Sequence, residues 1–111
     1  MSSYDIAAQQ LVIYNDGEGC GLTILTDTGH NGRIHFADGT GAASYRGYIE
    51  YEHLNGADTM KFATSSTERM RITATGNVGI NRSNVENWQA SFTGVQIGGN
   101  SSFMALTSQQ A

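Results

Sequence analysis

The sequence predicts an all-β protein built of short antiparallel strands in a thin sheet or sandwich. Three observations predict it. Apolar residues recur in pairs two positions apart with polar or glycine neighbours, the period of a strand with one buried face. Breaks rich in glycine, asparagine and aspartate separate those pairs, as they do between the strands of an all-β domain. A single segment departs from this rule and carries helical spacing instead.

The strands follow in order. Val12 with Tyr14 (or Leu11 with Ile13) is the first apolar pair, and Leu22 with Ile24 the second. Ile34 with Phe36, Ile49 with Tyr51, and Met60 with Phe62 come next, then Met70 with Ile72 and Val78 with Ile80. Val95 with Ile97 and Phe103 with Ala105 close the series. Turns are expected at Asn15-Asp16-Gly17, at 28–32, at 38–41, at Thr75-Gly76-Asn77 and at Gly98-Gly99-Asn100. Asn55-Gly56 is a hairpin signal, because a type I′ turn needs positive φ at both central residues. The exception is Ser83-Asn84-Val85-Glu86, which fits a capping box, with Val85, Trp88 and Phe92 following at helical spacing. A short helix is expected near 84–91, held by Trp88 and Phe92 against the sheet or a neighbouring chain. No exact internal repeat accompanies the loose recurrence of strands.

The alternation also sorts the charged residues. With Ile49 and Tyr51 inward, Tyr48, Glu50 and Glu52 point outward as a solvated edge. Lys61 is expected on the outer face of the next strand, and Arg69 and Arg71 on the one after. An acidic strand therefore precedes basic ones. Opposite charges across neighbouring strands would fix register at about 0.2 to 1 kcal/mol per pair.

Composition narrows the function. The chain has 111 residues, 39% of them hydrophobic and 14% charged, with 14 glycines and no proline. A core that thin is marginal alone, and partner chains could supply the missing burial. The net charge is −4, which argues against nucleic acid as a partner, since a backbone binder wants a basic stripe. Cys20 is the single cysteine, so no intrachain disulfide exists. No segment approaches the roughly 20 apolar residues of a membrane span, so no membrane insertion is expected. Residues 1–10 lack the basic and apolar regions of a secretory signal, so the expectation is synthesis in a cytoplasm or a fragment of something longer.

No catalytic constellation emerges, and no enzyme is expected. His30, His35 and His53 show no metal-ligand spacing, and no serine sits in a G-x-S-x-G elbow. Gly17-Glu18-Gly19-Cys20-Gly21 carries an acid and leads into a strand, so it is no phosphate cradle. Asp16-Gly17 and Asp38-Gly39-Thr40-Gly41 lack the carboxylates of a calcium loop and read as turns. No cofactor and no metal are expected. Tyr45 and Tyr48 are the candidate glycan contacts, and Trp88 is assigned to core or interface packing.

Five segments share an order and spacing with one family. They begin with Glu68-Arg69-Met70-Arg71-Ile72 followed by Gly76-Asn77-Val78-Gly79-Ile80. Gly32-Arg33-Ile34-His35-Phe36-Ala37-Asp38-Gly39 and Arg46-Gly47-Tyr48-Ile49-Glu50-Tyr51-Glu52-His53 precede them, with Asp58-Thr59-Met60-Lys61-Phe62-Ala63-Thr64 between. Trp88 and Gly94-Val95-Gln96-Ile97-Gly98 follow. Together they resemble the repeat of bacteriophage tail-fibre and tail-appendage shafts, over roughly residues 20–99. Asn81 departs from it, standing where the family often has glycine, and residues 1–19 match nothing in it. The resemblance implies a homotrimeric β-prism or fibre-like segment of a virion tail appendage that supports host attachment. Its partners would be other virion tail proteins and a host cell-surface glycan. Many relatives end in a self-cleaving chaperone domain, and no part of this sequence resembles one.

The expected organisation is an N-terminal linker or attachment segment, 1–19, and a β-rich tail-fibre-like domain, 20–111. Residues expected at the trimer interface or core are Ile34, Phe36, Ile49, Tyr51, Met60, Phe62, Met70, Ile72, Val78, Ile80 and Trp88. Two rivals belong to other classes. One is a monomeric carbohydrate-binding lectin-like module using Tyr45, Tyr48 and Trp88. The other is a trimeric capsid decoration protein.

Overall fold

The structure, a computed structural model, describes residues 11–85 and 93–98. Among the described residues, regular structure starts at Asn31. Six strands form one sheet in sequence order: β1 (Asn31–Phe36), β2 (Gly47–Glu52), β3 (Thr59–Thr64), β4 (Thr67–Ile72), β5 (Val78–Ile80) and β6 (Val95–Ile97). The all-β expectation holds. Neighbours from β1 to β5 are antiparallel, but β6 lies parallel to β5, so the sheet is mixed rather than wholly antiparallel. The reason is the long 81–94 connection, since parallel strands need a crossover of about a dozen residues or more.

The turns follow local chemistry. Asn55 and Gly56 both take positive φ, 56° and 69°, as the Asn-Gly signal requires. They sit inside a longer 53–58 loop that includes a 3-10 turn, Leu54–Gly56, and not in a two-residue hairpin. The tight hairpin comes next. Thr64 pairs with Thr67, so Ser65 and Ser66 alone join β3 to β4, with φ of 50° and 58°. Phe62 faces Met70 and Ala63 faces Glu68, which leaves Arg69 as an extra residue, a β-bulge.

The β4–β5 turn is closed by a buried asparagine. Thr73 N–H donates to Asn77 O at 2.9 Å, and Asn77 N–H donates to Thr73 Oγ1 at 3.1 Å. Asn77 Nδ2 donates to Thr75 Oγ1 at 3.1 Å. After β5 the chain turns back over the sheet. A Cβ on Gly79 would lie 2.5 Å from Val85 Cγ2 and 2.7 Å from Arg82 O, so only glycine lets the 82–85 segment pass so close.

Other expectations are corrected. Val12–Tyr14 and Leu22–Ile24 form no strand: residues 11–27 are irregular or bent, with no ladder partner among the described residues. Leu22, Ile24 and Leu25 are exposed, so alternation alone did not give them a sheet to join. Ser83, Asn84 and Val85 are irregular rather than helical. The rest of the expected helix lies outside the described residues, as do Trp88, Phe92 and the Phe103–Ala105 pair.

The burial pattern is inverted relative to an ordinary half-buried sheet. Ala63 is the one hydrophobic residue in the buried class among the described residues. Glu50, Thr59, Asn77 and Gln96 are the buried polar ones. Glu50, expected as a solvated edge, is only 8% exposed. Its neighbours account for this, because long arginine and lysine stems lie across the sheet and cover what sits between them.

Candidate functional site

Register places the apolar residues on one face in two parallel rows. Residues directly opposite across a ladder share a face. The first row is Ile34, Ile49, Phe62, Met70, Ile80 and Ile97, one residue from each strand in order. The second runs from Gly32 through Tyr51, Met60, Ile72 and Val78 to Val95. Phe36 lies beside the first row, opposite Gly47, and its Cβ is 3.4 Å from where a Gly47 Cβ would be. Of the residues expected to pack together, all the described ones are thus gathered on this face; Trp88 lies outside the described residues. Val95 and Ile97 join them.

That face is open. Ile34 is 42% exposed, Phe36 59%, Ile80 39% and Ile97 40%. The rows stand two residues apart along each strand, about 7 Å. Across the six strands they run about 24 Å, five spacings of about 4.8 Å. Part of one end is lapped by the chain that enters β1. Ile24 Cγ2 lies 3.5 Å from where a Gly32 Cβ would be, and Ile24, Ile34, Ile49, Tyr51 and Met60 share a shallow apolar cleft of about 270 Å³.

The opposite face is polar and ordered by charge. Arg33, Glu50, Lys61, Arg71, Gly79 and Gln96 lie in one row. Glu50 accepts a hydrogen bond from Arg33 Nε and lies 3.5 Å from Lys61 Nζ. Lys61 Nζ also reaches Glu52 at 2.8 Å. Lys61 and Arg71 stand opposite each other, but each has its own carboxylate. Glu68 accepts from Arg71 Nε at 2.5 Å and from Arg71 Nη2 at 2.7 Å. Burial alone would push the Glu50 carboxyl up. The Arg33 hydrogen bond, the Arg33 and Lys61 charges and an Asn31 hydrogen bond outweigh it and hold Glu50 below its ordinary value. The hydrogen bond to Glu68, opposed by burial, keeps Arg71 still more firmly protonated.

The same face brings together the candidate glycan contacts. His35 on β1 stands opposite Tyr48 on β2, and Tyr45 ends the 3-10 turn Gly41–Tyr45 between those strands. His35 lies 6.5 Å from Tyr45 and 6.2 Å from Tyr48 between ring centroids. Arg33, Glu50 and Ser66 complete the cleft around them. Sequence reasoning picked out the two tyrosines but not Arg33, His35 or Ser66 as their neighbours. Alternation does put Arg33, His35, Tyr48 and Glu50 on outer positions, but only the pairing register brings them together.

Among the described residues, no group of histidine, cysteine, aspartate and glutamate is placed to hold a metal ion. Cys20 is exposed, with its Sγ 3.6 Å from Ile13 O. No helix among the described residues is long and apolar enough to cross a membrane. Set against protein-family models, curated proteins and solved structures, the chain finds no match.

Proposed function

We propose that the chain is a structural segment of a phage tail fibre or related tail appendage, assembled as a homotrimer with the apolar rows of three copies facing a common axis. The observation that carries this is the apolar strip that crosses all six strands, half-buried in its middle and exposed at Ile34, Phe36, Ile80 and Ile97 in the single chain. A strip of that size on a soluble protein marks an interaction surface. Its long direction is the hydrogen-bonding direction of the sheet. Three such strips around an axis parallel to that direction close a narrow apolar core, with strands crossing the axis. The polar rows then face outward.

The closure covers the apolar rows laterally, and among the described strands the outer edges of β1 and β6 face along the axis, the direction in which a fibre continues. The motif order described above, with its resemblance to tail-fibre shafts, supports the same reading. In this role the chain works mechanically, holding or presenting attachment surfaces in threes so that weak contacts add by avidity.

Light scattering after size exclusion, with serial dilution, tests it. One chain is 11.9 kDa, so the expected mass is three times that and stable to dilution. A folded monomer would overturn the shared-axis assembly.

A further inference from the structure

The polar face holds a built cleft that a structural role leaves unused. Arg33, His35, Tyr45, Tyr48, Glu50 and Ser66 line an open cleft of about 320 Å³. That falls at the lower end of the range for small-ligand sites, roughly 300 to 1,000 Å³. Its floor is the β1–β2 ladder, with Arg33 opposite Glu50 and His35 opposite Tyr48. Its walls are the Gly41–Tyr45 turn and the Ser65-Ser66 hairpin.

The walls are tied together by backbone bonds. Ser66 N–H donates to Arg46 O at 2.9 Å, directly after Tyr45 in the chain. Asp38 N–H donates to Ala43 O at 3.2 Å, and Ser44 Oγ donates to Gly41 O at 2.7 Å. Arg46 also reaches Asp38 at 3.5 Å. The cleft is thus formed before any guest arrives, which lowers the ordering cost of binding.

Its lining is aromatic and rich in donors. The His35 ring is tilted 55° to Tyr45 and 56° to Tyr48, so the rings are not stacked on one another and ring surface remains for a guest. Tyr45 is 40% exposed. Glu50 is the one carboxylate in the lining, and it is engaged by Arg33 and Lys61. Arg33 gives Glu50 its Nε–H, while about half of its side chain (46%) stays open to solvent. A guanidinium has further N–H donors on its outer edge, in the fork geometry that suits a carboxylate. The chain as a whole is acidic at −4, so any anion held here is held by local geometry and not by a general field.

We propose that this cleft binds a carboxylate-bearing saccharide. The sugar ring lies against Tyr45 and His35, its carboxylate meets the Arg33 fork, and its hydroxyls meet Tyr48 and Ser66. The cleft is on the face opposite the apolar rows, so the assignment stands whether the chain is one copy or three. In a trimer it is presented outward three times.

The test is an NMR titration of the 111-residue chain with oligogalacturonate and with a neutral galactan of matched length, with the mass of each sample measured by light scattering. The expected result is saturable binding of the acidic oligomer, with shifts at His35, Tyr45 and Tyr48 and binding about tenfold or more weaker for the neutral one. Tyr45→Ala, at an exposed position, should weaken the acidic oligomer about tenfold. Arg33→Lys keeps a charge beside Glu50 but loses the fork, and should bring the acidic oligomer close to the neutral one. Absence of shifts with either oligomer overturns the proposal. So does acidic binding that Tyr45→Ala leaves unchanged, because that is ion exchange and not recognition. A monomer that binds overturns the trimer alone; a trimer that does not bind overturns the cleft alone.

Discussion

Arg33 on β1 and Glu50 on β2 stand directly opposite each other, and the carboxylate accepts the guanidinium Nε–H while the backbone pairs beneath them. Lys61 approaches the same carboxylate from β3, so one acid links three strands. Glu50→Gln keeps the shape and removes the charge. It should lower stability by about 2 kcal/mol, the scale of a hydrogen bond to a charged group. Chemical denaturation checks this, with an unchanged denaturant slope expected if the fold is retained.

The same carboxylate makes the sheet acid-sensitive. Its pKa is lower in the folded chain than the ordinary 4.5, so the unfolded chain takes up its proton first as pH falls. Its contribution is therefore whole above about pH 4.5, the unfolded value, and is lost as pH drops through the folded value. Stability measured from pH 6 to pH 2.5 should fall below roughly pH 4.5, and Glu50→Gln should flatten part of that slope. An identical slope in the variant would assign the acid sensitivity to other groups.

Asn77 joins elements far apart in the chain. Its Oδ1 accepts the Gly94 N–H at 2.8 Å, while Val78 N–H donates to Gly94 O at 2.9 Å. The asparagine thus fastens the β4–β5 turn to the entry of the parallel strand β6, and it is 2% exposed. Asn77→Ala leaves the Gly94 N–H without its partner and should cost about 2 kcal/mol. Hydrogen exchange should show the loss first at β6, the last strand in the sheet order, next to β5.

What was legible in the sequence was local. A period of two told which residues share a face, and Asn55-Gly56 told where positive φ would fall, because those residues tolerate it best. The Ser65-Ser66 turn was missed since serine has no strong preference for that conformation. The cleft was half-visible: Tyr45 and Tyr48 stand out as aromatics off the apolar face, but their meeting with His35 and Arg33 depends on register across the 37–46 connection. Parallel β6 was invisible for a similar reason, since it depends on a crossover and not on any strand's own composition. Periodicity also could not say what covers the apolar face, because that depends on the neighbours of the whole sheet.

The serine turn is a place to gain stability. Both residues hold φ in the left-handed region, which costs an ordinary L-residue roughly 1 to 2 kcal/mol. Ser65→Asn with Ser66→Gly supplies the pair that this two-residue hairpin prefers. The double variant should raise stability by about 1 kcal/mol and leave Thr64 paired with Thr67. A thermal melt reads the gain, and a lowered midpoint would count against this turn geometry.

The assembly itself is tested at Phe62, third in the first apolar row between Ile49 and Met70. An aspartate there places a charge in the middle of the strip. In a lone sheet Phe62 is half-buried between Ile49 and Met70, so the substitution also costs some stability of the single chain. In a trimer around the proposed axis, three carboxylates meet in an apolar core, and desolvation adds to their mutual repulsion. Phe62→Asp should therefore weaken association by about a hundredfold or more, on the order of 3 kcal/mol. The expected readout is a mass of one chain, 11.9 kDa, with the β circular-dichroism signal retained at low temperature. Thr67→Asp, at an exposed position beside the hairpin, is the control and should leave the mass unchanged. A variant that keeps both fold and trimer would show that the copies meet elsewhere. If fold and mass are lost together, Ile34→Asp at the outer strand β1 separates the two effects, because Ile34 is already 42% exposed in the single chain.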